Sequence, residues 1–530
     1  MSVIQLYDTT LRDGAQRAGI SFTAADKLAI ARKLDELGML YIEGGWPGAN
    51  PKDSEFFALT KDVTFQNATM VAFGSTRRHG IKCADDPGLN ALLSSGAQAA
   101  TLVGKCSSRQ VTQVLETTLE ENLEMVASSV EYLRSRGILV FLDAEHFFDG
   151  WKDDRDYSIK VLQVAAKAGC ACMVLCDTNG GSLPDEVGAA VRDVLLHTDV
   201  PVGIHAHNDA ELAVANTLAA VQAGAVQVQG TINGFGERCG NANLCSIIPA
   251  LKLKMSINCV SEAQLGKLTE VSRFVSETAN LAPESFMPYV GLSAFSHKAG
   301  LHVSGMARWK GAYQHIDPEL VGNNPHVLIS EQSGRTNIVQ RAKEIGVELP
   351  TKGSEVAQLL EQVKELESRG FQYENAEASF DLLVYRMSAN YKKPFELVDY
   401  MVVVEKDRRK GVEQRGDGVL SEAMVKVKVG DKLLHTAAEG DGPVNALDNA
   451  LRNGLLEYYS GLASVKLTDY KVRILEESTG TESQVRVLIE SSDGVKQWRT
   501  VGSSTNIIEA SWLALADSME YWLVTNPTVT

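Results

Sequence analysis

Two histidines one residue apart, His205 and His207, close a short apolar run from Val202 to Ile204. On a strand, residues i and i+2 point to the same side, so both imidazoles can face one metal ion. Paired histidines also pack or cap independently, and the pair by itself leaves both readings open. Near the N-terminus, Asp8-Thr9-Thr10-Leu11-Arg12-Asp13-Gly14 follows another apolar run. Asp13 is an oxygen donor for a metal, Arg12 can hold a developing oxyanion, and Gly14 lets backbone approach a ligand closely. Arg12-Asp13-Gly14 alone fits a surface turn equally. Far along the chain, Gly234-Phe235-Gly236-Glu237-Arg238-Cys239-Gly240-Asn241 adds Asn241 as a second oxygen donor. Two nitrogens and two oxygens, with positions left open for substrate, favour a divalent ion such as Mn²⁺ or Mg²⁺; Zn²⁺ or Co²⁺ accept the same donor types.

A fold is needed that brings residues 13, 205, 207 and 241 together. Short apolar runs recur at 4–7, 40–43, 70–73, 100–103, 139–144, 172–176, 202–205 and 225–229, and each reads as a strand. Stretches with helical spacing lie between them, at 23–37, 117–136, 157–167, 184–197 and 211–223. Thr23, Ser182 and Asp209 stand where N-caps are expected, and Gly38, Gly137, Gly169 and Gly224 where helices end. Eight strand–helix units in about 240 residues match an α/β protein with a TIM (β/α)₈ barrel, with a doubly wound sheet as the alternative. In a closed barrel the first, seventh and eighth strands are neighbours. Polar groups gather where the strands end: Arg12 and Asp13, then Glu43-Gly44-Gly45-Trp46-Pro47-Gly48, Asp143-Ala144-Glu145-His146 and Asp177-Thr178-Asn179. Loops are polar in general, but the whole set is not easily explained that way.

The formal charge is −16, from 51 basic and 67 acidic residues, which argues against nucleic-acid binding. Eight scattered cysteines form no paired metal-binding spacing, and Cys170, Cys172 and Cys176 fall in an apolar run where they read as small buried residues. The first residues show no signal peptide, and no apolar run approaches the roughly 20 residues of a membrane span. A cytoplasmic protein without membrane contact is expected.

The motifs around Arg12 and Asp13, the His205-x-His207 pair and the Gly234–Asn241 segment together resemble the DRE-TIM metallolyase family. Within it the chain resembles the acyl-CoA-dependent synthases of 2-isopropylmalate, homocitrate and citramalate. The residues from Glu43 to Asp53, Gly104-Lys105-Cys106-Ser107 and Asp143 to Gly150 are similar to the citramalate-forming branch of the long type, which carries a regulatory domain. Gly45-Trp46-Pro47 departs from the Gly-Phe-Pro of isopropylmalate-forming relatives. The resemblance implies a Claisen-type condensation of pyruvate with acetyl-CoA that releases CoA. A near alternative uses another 2-oxo acid and gives isopropylmalate or homocitrate. It further implies that Arg12 and the metal stabilise the oxyanion, that Glu145 is the catalytic glutamate and that Thr178 holds the substrate carboxylate. Asp13, His205, His207 and Asn241 are the implied metal ligands.

Beyond the barrel (1–275) the pattern changes. A segment at 276–380 carries Ser296-His297-Lys298-Ala299-Gly300-Leu301-His302 and then Tyr313, with helical stretches at 330–346 and 354–369. It resembles the helical linker subdomain of these synthases. The resemblance implies that His302 and Tyr313 reach the barrel of a partner subunit, with Glu145 orienting His302, and so requires a homodimer. By themselves the same residues fit an ordinary helix start and loop. Residues 381–530 read as an α+β domain of two β-β-α units, with strands at 380–385, 396–404, 424–429 and 433–438 and at 470–476, 484–490 and 497–502. The helices expected at 444–459 and 507–523 repeat at an offset of about 64 residues when Ala446 is aligned with Ala510. The resemblance implies an allosteric domain that binds an end-product amino acid, isoleucine for a citramalate route; a purely structural dimerisation domain is the alternative. A C–C lyase on the same barrel, or a sensor on a dead one, is disfavoured by the C-terminal repeat and by the intact Arg12, Asp13, Glu145, His205 and His207. Arg12→Lys is expected to lower kcat strongly, because planar bidentate geometry is lost; a steady-state assay that finds turnover near wild type would overturn the role given to Arg12.

Overall fold

Strand pairing carries the expected alternation around a full circle. The computed structural model describes residues 4–297, 302, 305–306, 308–324, 335–347, 355–373, 376–388, 391–406, 419–475 and 483–526. The barrel strands are β1 (Gln5–Asp8), β2 (Tyr41–Gly45), β3 (Thr69–Ser75), β4 (Ala99–Lys105), β5 (Leu139–Glu145), β6 (Cys172–Asp177), β7 (Val202–Ala206) and β8 (Gln227–Gly230). They run in that order as a closed barrel. The seam is a parallel pairing of β1 with β8 that sets Tyr7 beside Gln229. This is the TIM barrel expected, and not the doubly wound alternative.

Side chains alternate across each strand, and the two faces differ in what they meet. One set, including Leu6, Ile42, Leu102, Leu142, Leu175, Ile204 and Val228, is buried in the large core shared with the surrounding helices. The other set points into the barrel. Its lower layer is apolar: Tyr7, Val71, Ala99, Phe141, Cys172 and Val174 form a cluster of their own. One step further along the strands the inward positions turn polar, with Glu43, Thr101, Asp143, His205 and Gln229 all buried. Cys170, Cys172 and Cys176 are free and buried, as their apolar setting implied.

Local rules explain most of the helix ends. Thr23 and Asp26 form a capping box for Ala24–Leu37, and Gly38 closes that helix in the left-handed conformation. Two expected caps are not caps. Helix Pro184–Leu195 starts after Leu183, and the Ser182 hydroxyl donates to Asp177 Oδ1 at 3.0 Å. Helix Ala213–Ala223 starts after Leu212, and Asp209 accepts from Arg238 at 2.7 Å. In both cases a charged partner in the loops above the strands draws the side chain away from the helix end.

The chain divides into two compact units, 1–295 with 315–325, and 296–314 with 326–530. In the second unit, helices Arg335–Glu344, Glu355–Ser368 and Glu377–Arg386 precede two antiparallel sheets. The strand expected at 380–385 is instead part of helix Glu377–Arg386. Its continuous apolar run fits a strand or a fully buried helix alike. The helix is settled by partners for its polar positions: Ser379 donates to Asp517, and Asp381 accepts two bonds from Arg341. The expected helix at 330–346 begins within the described residues at Arg335, and 330–334 lie outside them.

The sheets are β9 (Glu396–Lys406), β10 (Val419–Val429) and β11 (Lys432–Gly440), then β12 (Lys466–Ile474), β13 (Val485–Ser492) and β14 (Gln497–Ser504). Each sheet has three strands before its helix, and these are the strands expected at 396–404, 424–429 and 433–438 and at 470–476, 484–490 and 497–502, so each unit is β-β-β-α rather than β-β-α. The helices are Pro443–Leu455 and Ile507–Thr525. Ala446 and Ala510 are each the fourth helical residue and fully buried, so the repeat is structural. No helix among the described residues is long and apolar enough to cross a membrane.

One buried ion pair fixes the loop after β2. Lys27 pairs with Asp53 and donates to the Gly44 carbonyl at 3.0 Å, while Asp53 accepts from the Trp46 amide at 2.8 Å. Gly45 has φ +143°, and a Cβ there would run into the Asp53 carboxylate. Asp53→Ala strands Lys27 as an unpaired buried cation, at a cost of about 3–5 kcal/mol. Thermal unfolding is expected to show a lowered first transition, recovered in large part by adding Lys27→Met.

Candidate active site

Arg12 is not free to move. Its Nε donates to Glu43 Oε2 at 2.6 Å, its Nη1 donates to Asp13 at 3.0 Å, and its guanidinium lies 3.9 Å from the Phe73 ring centroid. Glu43 has no exposed surface and accepts two further bonds, from Tyr7 at 2.6 Å and from Thr9 at 2.5 Å. Burial by itself would lower the pKa of Arg12; Glu43, Asp13 and Asp143 outweigh it and hold the guanidinium charged. Burial likewise opposes charge on Asp13, yet Arg12 and the two histidines hold its carboxyl well below the usual range.

Asp13, His205 and His207 converge. One ligand atom from each lies within 4.8 Å of the others, and all three residues are buried. The His205 and His207 Nε2 atoms are 3.1 Å apart, and Asp13 Oδ2 is 3.5 Å from the first and 3.8 Å from the second. Asn241 joins them through a bridge with His207. Two buried oxygens here, Asp13 Oδ1 and Asn241 Oδ1, have no hydrogen-bond partner. A buried acceptor without a donor is costly, and a divalent cation would satisfy both. The donor set fits such an ion. Gly236 makes room for the Asn241 side chain: a Cβ there would collide with its amide nitrogen.

A cavity of about 740 Å³ opens above this group and is lined by Arg12, Asp13, Glu145, Thr178, His205 and His207. Each expected site residue of the barrel except Asn241 is therefore on its wall. The Thr178 hydroxyl accepts from the His146 amide at 2.8 Å, which leaves its proton available to a ligand. Glu145 is paired with Lys105 from the end of β4. In the second unit, His302 stacks on Tyr313 with ring centroids 4.2 Å apart, and His297 lies 6.1 Å from His302. Residues 298–301 of the same motif lie outside the described residues.

Several residues of the site received no role from sequence, although Glu43, Lys105, Asp143 and Arg238 stand within the motifs quoted above and Gln229 within an expected strand. Burial pushes Asp143 up to about 7, against the pull of His205, and it lines the same cavity. Arg238 ties three loops together, donating to Asp209, to the Thr178 carbonyl at 2.7 Å and to His207 Nδ1 at 2.7 Å. The available signal was parity: Glu43, Asp143 and Gln229 interrupt apolar strands at positions that face inward, where a polar residue needs a reason.

Residues 3–275 match the HMGL-like family, 289–370 the homocitrate synthase post-HMGL domain-like family and 374–523 the LeuA allosteric (dimerisation) domain. The chain is 53% identical over 523 residues to an (R)-citramalate synthase of Geobacter sulfurreducens, covering 99% of this chain and 98% of that protein. An (R)-citramalate synthase of Aquifex aeolicus is 49% identical over 98% of both chains. One of Streptomyces coelicolor is 50% identical, over 98% of this chain and 96% of its own.

The orphaned oxygens make ion removal measurable without any substrate. Chelation is expected to lower the thermal midpoint of the barrel, and Mn²⁺ or Mg²⁺ to restore it, by about 2.7 kcal/mol at a hundredfold excess over Kd. Asp13→Asn should abolish the restoring shift; an equal shift in that variant would place the ion elsewhere.

Proposed function

Because this chain belongs to the HMGL-like family, with (R)-citramalate synthases among its full-length relatives, we propose that it condenses acetyl-CoA with pyruvate. One acetyl-CoA, one pyruvate and one water give (R)-citramalate and CoA. The reading rests on one observation above others: Arg12 is locked beside the Asp13, His205 and His207 cluster, and all four line one cavity of about 740 Å³.

A divalent ion held by Asp13, His205, His207 and Asn241, Mn²⁺ or Mg²⁺ by preference, would supply Lewis-acid polarisation of a keto group. The residues do the rest. Arg12 spends Nε on Glu43 and Nη1 on Asp13, and its second terminal nitrogen is left for the oxyanion that forms as the keto carbon is attacked. Thr178 donates to the substrate carboxylate. Glu145, His302 and Tyr313 form the group that removes a methyl proton from acetyl-CoA, with His302 and Tyr313 brought by a partner subunit. Trp46 meets Phe73 edge to face at 5.3 Å, directly beside the ring under Arg12, which narrows the space for the keto acid's side chain and favours pyruvate.

We assign catalysis to 1–275, a linker to 276–380 and regulation to 381–530. The protein acts as a homodimer. Large apolar side chains left exposed on β9, β11 and β12, among them Val398, Met401, Val404, Leu433 and Ile474, support a self-association face. Isoleucine, the amino acid to which citramalate leads, is the feedback inhibitor. A cavity of about 650 Å³ in the C-terminal unit is lined by Asn445, Asp448, Arg452 and Tyr470, and its Asp448–Arg452 pair, 2.9 Å apart, holds both charges that an amino acid would engage. Eight free cysteines suit a reducing cytoplasm.

The test is CoA release with acetyl-CoA, Mn²⁺ and, in turn, pyruvate, 2-oxoisovalerate and 2-oxoglutarate, with and without isoleucine. Release with pyruvate alone is expected, reduced by isoleucine. Release with 2-oxoisovalerate or 2-oxoglutarate instead would keep the mechanism and change the product to isopropylmalate or homocitrate. No release with any of the three would overturn the condensation.

A further inference from the structure

Between His205 and the rest of the barrel interior stands a single amide. Gln229 on β8 is fully buried, and it lies level with His205 on β7 and with Tyr7 on β1. Its Oε1 is 2.9 Å from Nδ1 of His205. Its Nε2 donates to Asp143 Oδ1 at 3.0 Å and lies 3.5 Å from Gln227 Oε1. Asp143 as a carboxylate only accepts, and Gln227 presents its oxygen because its own nitrogen donates to Gln5 at 3.2 Å, so the amide sets its nitrogen toward Asp143 and Gln227 and its oxygen toward His205. A carbonyl oxygen only accepts. Nδ1 of His205 therefore carries a hydrogen whether or not the ring is charged, which leaves Nε2 as the nitrogen that can offer a lone pair to a metal ion. That atom is the one 3.5 Å from Asp13 and 3.1 Å from His207.

We infer that Gln229, braced by Asp143, is the positioning residue that presents the Nε2 lone pair of His205 to the metal ion. Gln229 is not a ligand. It acts on the ion through the ring that it orients, as outer partners of metal-bound imidazoles do. Without it the ring loses its acceptor in a buried setting, and it can rotate or take the other tautomer, either of which withdraws the donor atom. Asp143 enters one step further out, by denying the amide its flipped orientation.

The inference rests on the metal-site reading of Asp13, His205 and His207, and the two are separated by titrating the full-length protein with Mn²⁺ alone by calorimetry. Gln229→Met keeps the volume and removes the acceptor; it is expected to weaken Mn²⁺ binding about 10–100-fold. The double variant Gln229→Glu/Asp143→Asn reverses the polarity of the brace: the new asparagine donates to the new glutamate, which still accepts from Nδ1. It is expected to bind Mn²⁺ within a few-fold of wild type, a rescue that a residue serving only to fill space would not give. Gln229→Glu alone sets two carboxylates side by side and should bind markedly less well than the double variant. Should Gln229→Met not fold, that last pair decides. Equal affinity in wild type and Gln229→Met, or in the single and double glutamate variants, would overturn the inference while leaving the site. A wild-type protein that takes up no Mn²⁺ would remove the site and the inference together.

Discussion

A carboxylate with no exposed surface sets the terms for the top of this barrel. Glu43 is closed off from water at the centre of the parallel sheet, and a buried charge of that kind survives only with a full set of partners. Tyr7 and Thr9 from β1 and its loop supply two, and Arg12 supplies the third together with a positive charge. The consequence runs outward from there. Arg12 cannot leave Glu43 without exposing both to an unpaired state, so Asp13, the next residue and its second partner, is held as well. The fixed guanidinium lies over the Phe73 ring, and Trp46, held through its amide by Asp53, meets the same ring edge to face.

The loops above the strands are fastened by a few polar side chains rather than by packing. Asp177 accepts from the Ser182 amide and hydroxyl, which closes the turn after β6. Arg238 reaches from the loop after β8 to Asp209 beyond β7 and to the Thr178 carbonyl beyond β6. Backbone bonds from Asn208 to Gly240 and from Ala242 to Ala206 lock β7 to the same loop. Asn241 is thereby brought beside His207 although 33 residues lie between them in the chain; what holds it is a pair of backbone bonds and one arginine. Rigid support of this sort lets a site keep buried, unpartnered oxygens such as Asp13 Oδ1 and Asn241 Oδ1.

The C-terminal unit obeys a different logic. Two copies of three strands and a helix bury one face of each sheet under its helix, with Ala446 and Ala510 giving the close approach in each copy. The helix Glu377–Arg386 is wedged against this core and is held by ion pairs from Arg386 to Asp517 and Glu520. Where a segment is buried all round, hydrophobic period carries no information, which is why 380–385 reads as a strand in the sequence and forms a helix in the fold.

The sequence by itself determined the barrel, the order of its strands, and the residues whose chemistry could bind a metal and an oxyanion. Alternation and helical spacing are local properties, and eight repeats of them leave few closed arrangements. Arg12, Asp13, His205, His207 and Asn241 stood out for the same reason, each a reactive type at a strand end or in the loop that follows, whereas Glu145 and Thr178 took their expected roles from the family resemblance. Only the tertiary structure decided what those residues touch. Glu43 as the anchor of Arg12, Lys105 as the partner of Glu145, Arg238 as the tie between loops and Gln229 as the neighbour of His205 are contacts between strands and loops far apart in the chain. Strand register and barrel closure set those distances, and neither is written in any one segment. The cap misassigned to Asp209 has the same origin, since Arg238 is a charged partner from a distant loop that only the closed barrel brings within reach; Ser182 instead turned to Asp177 five residues back, within its own turn.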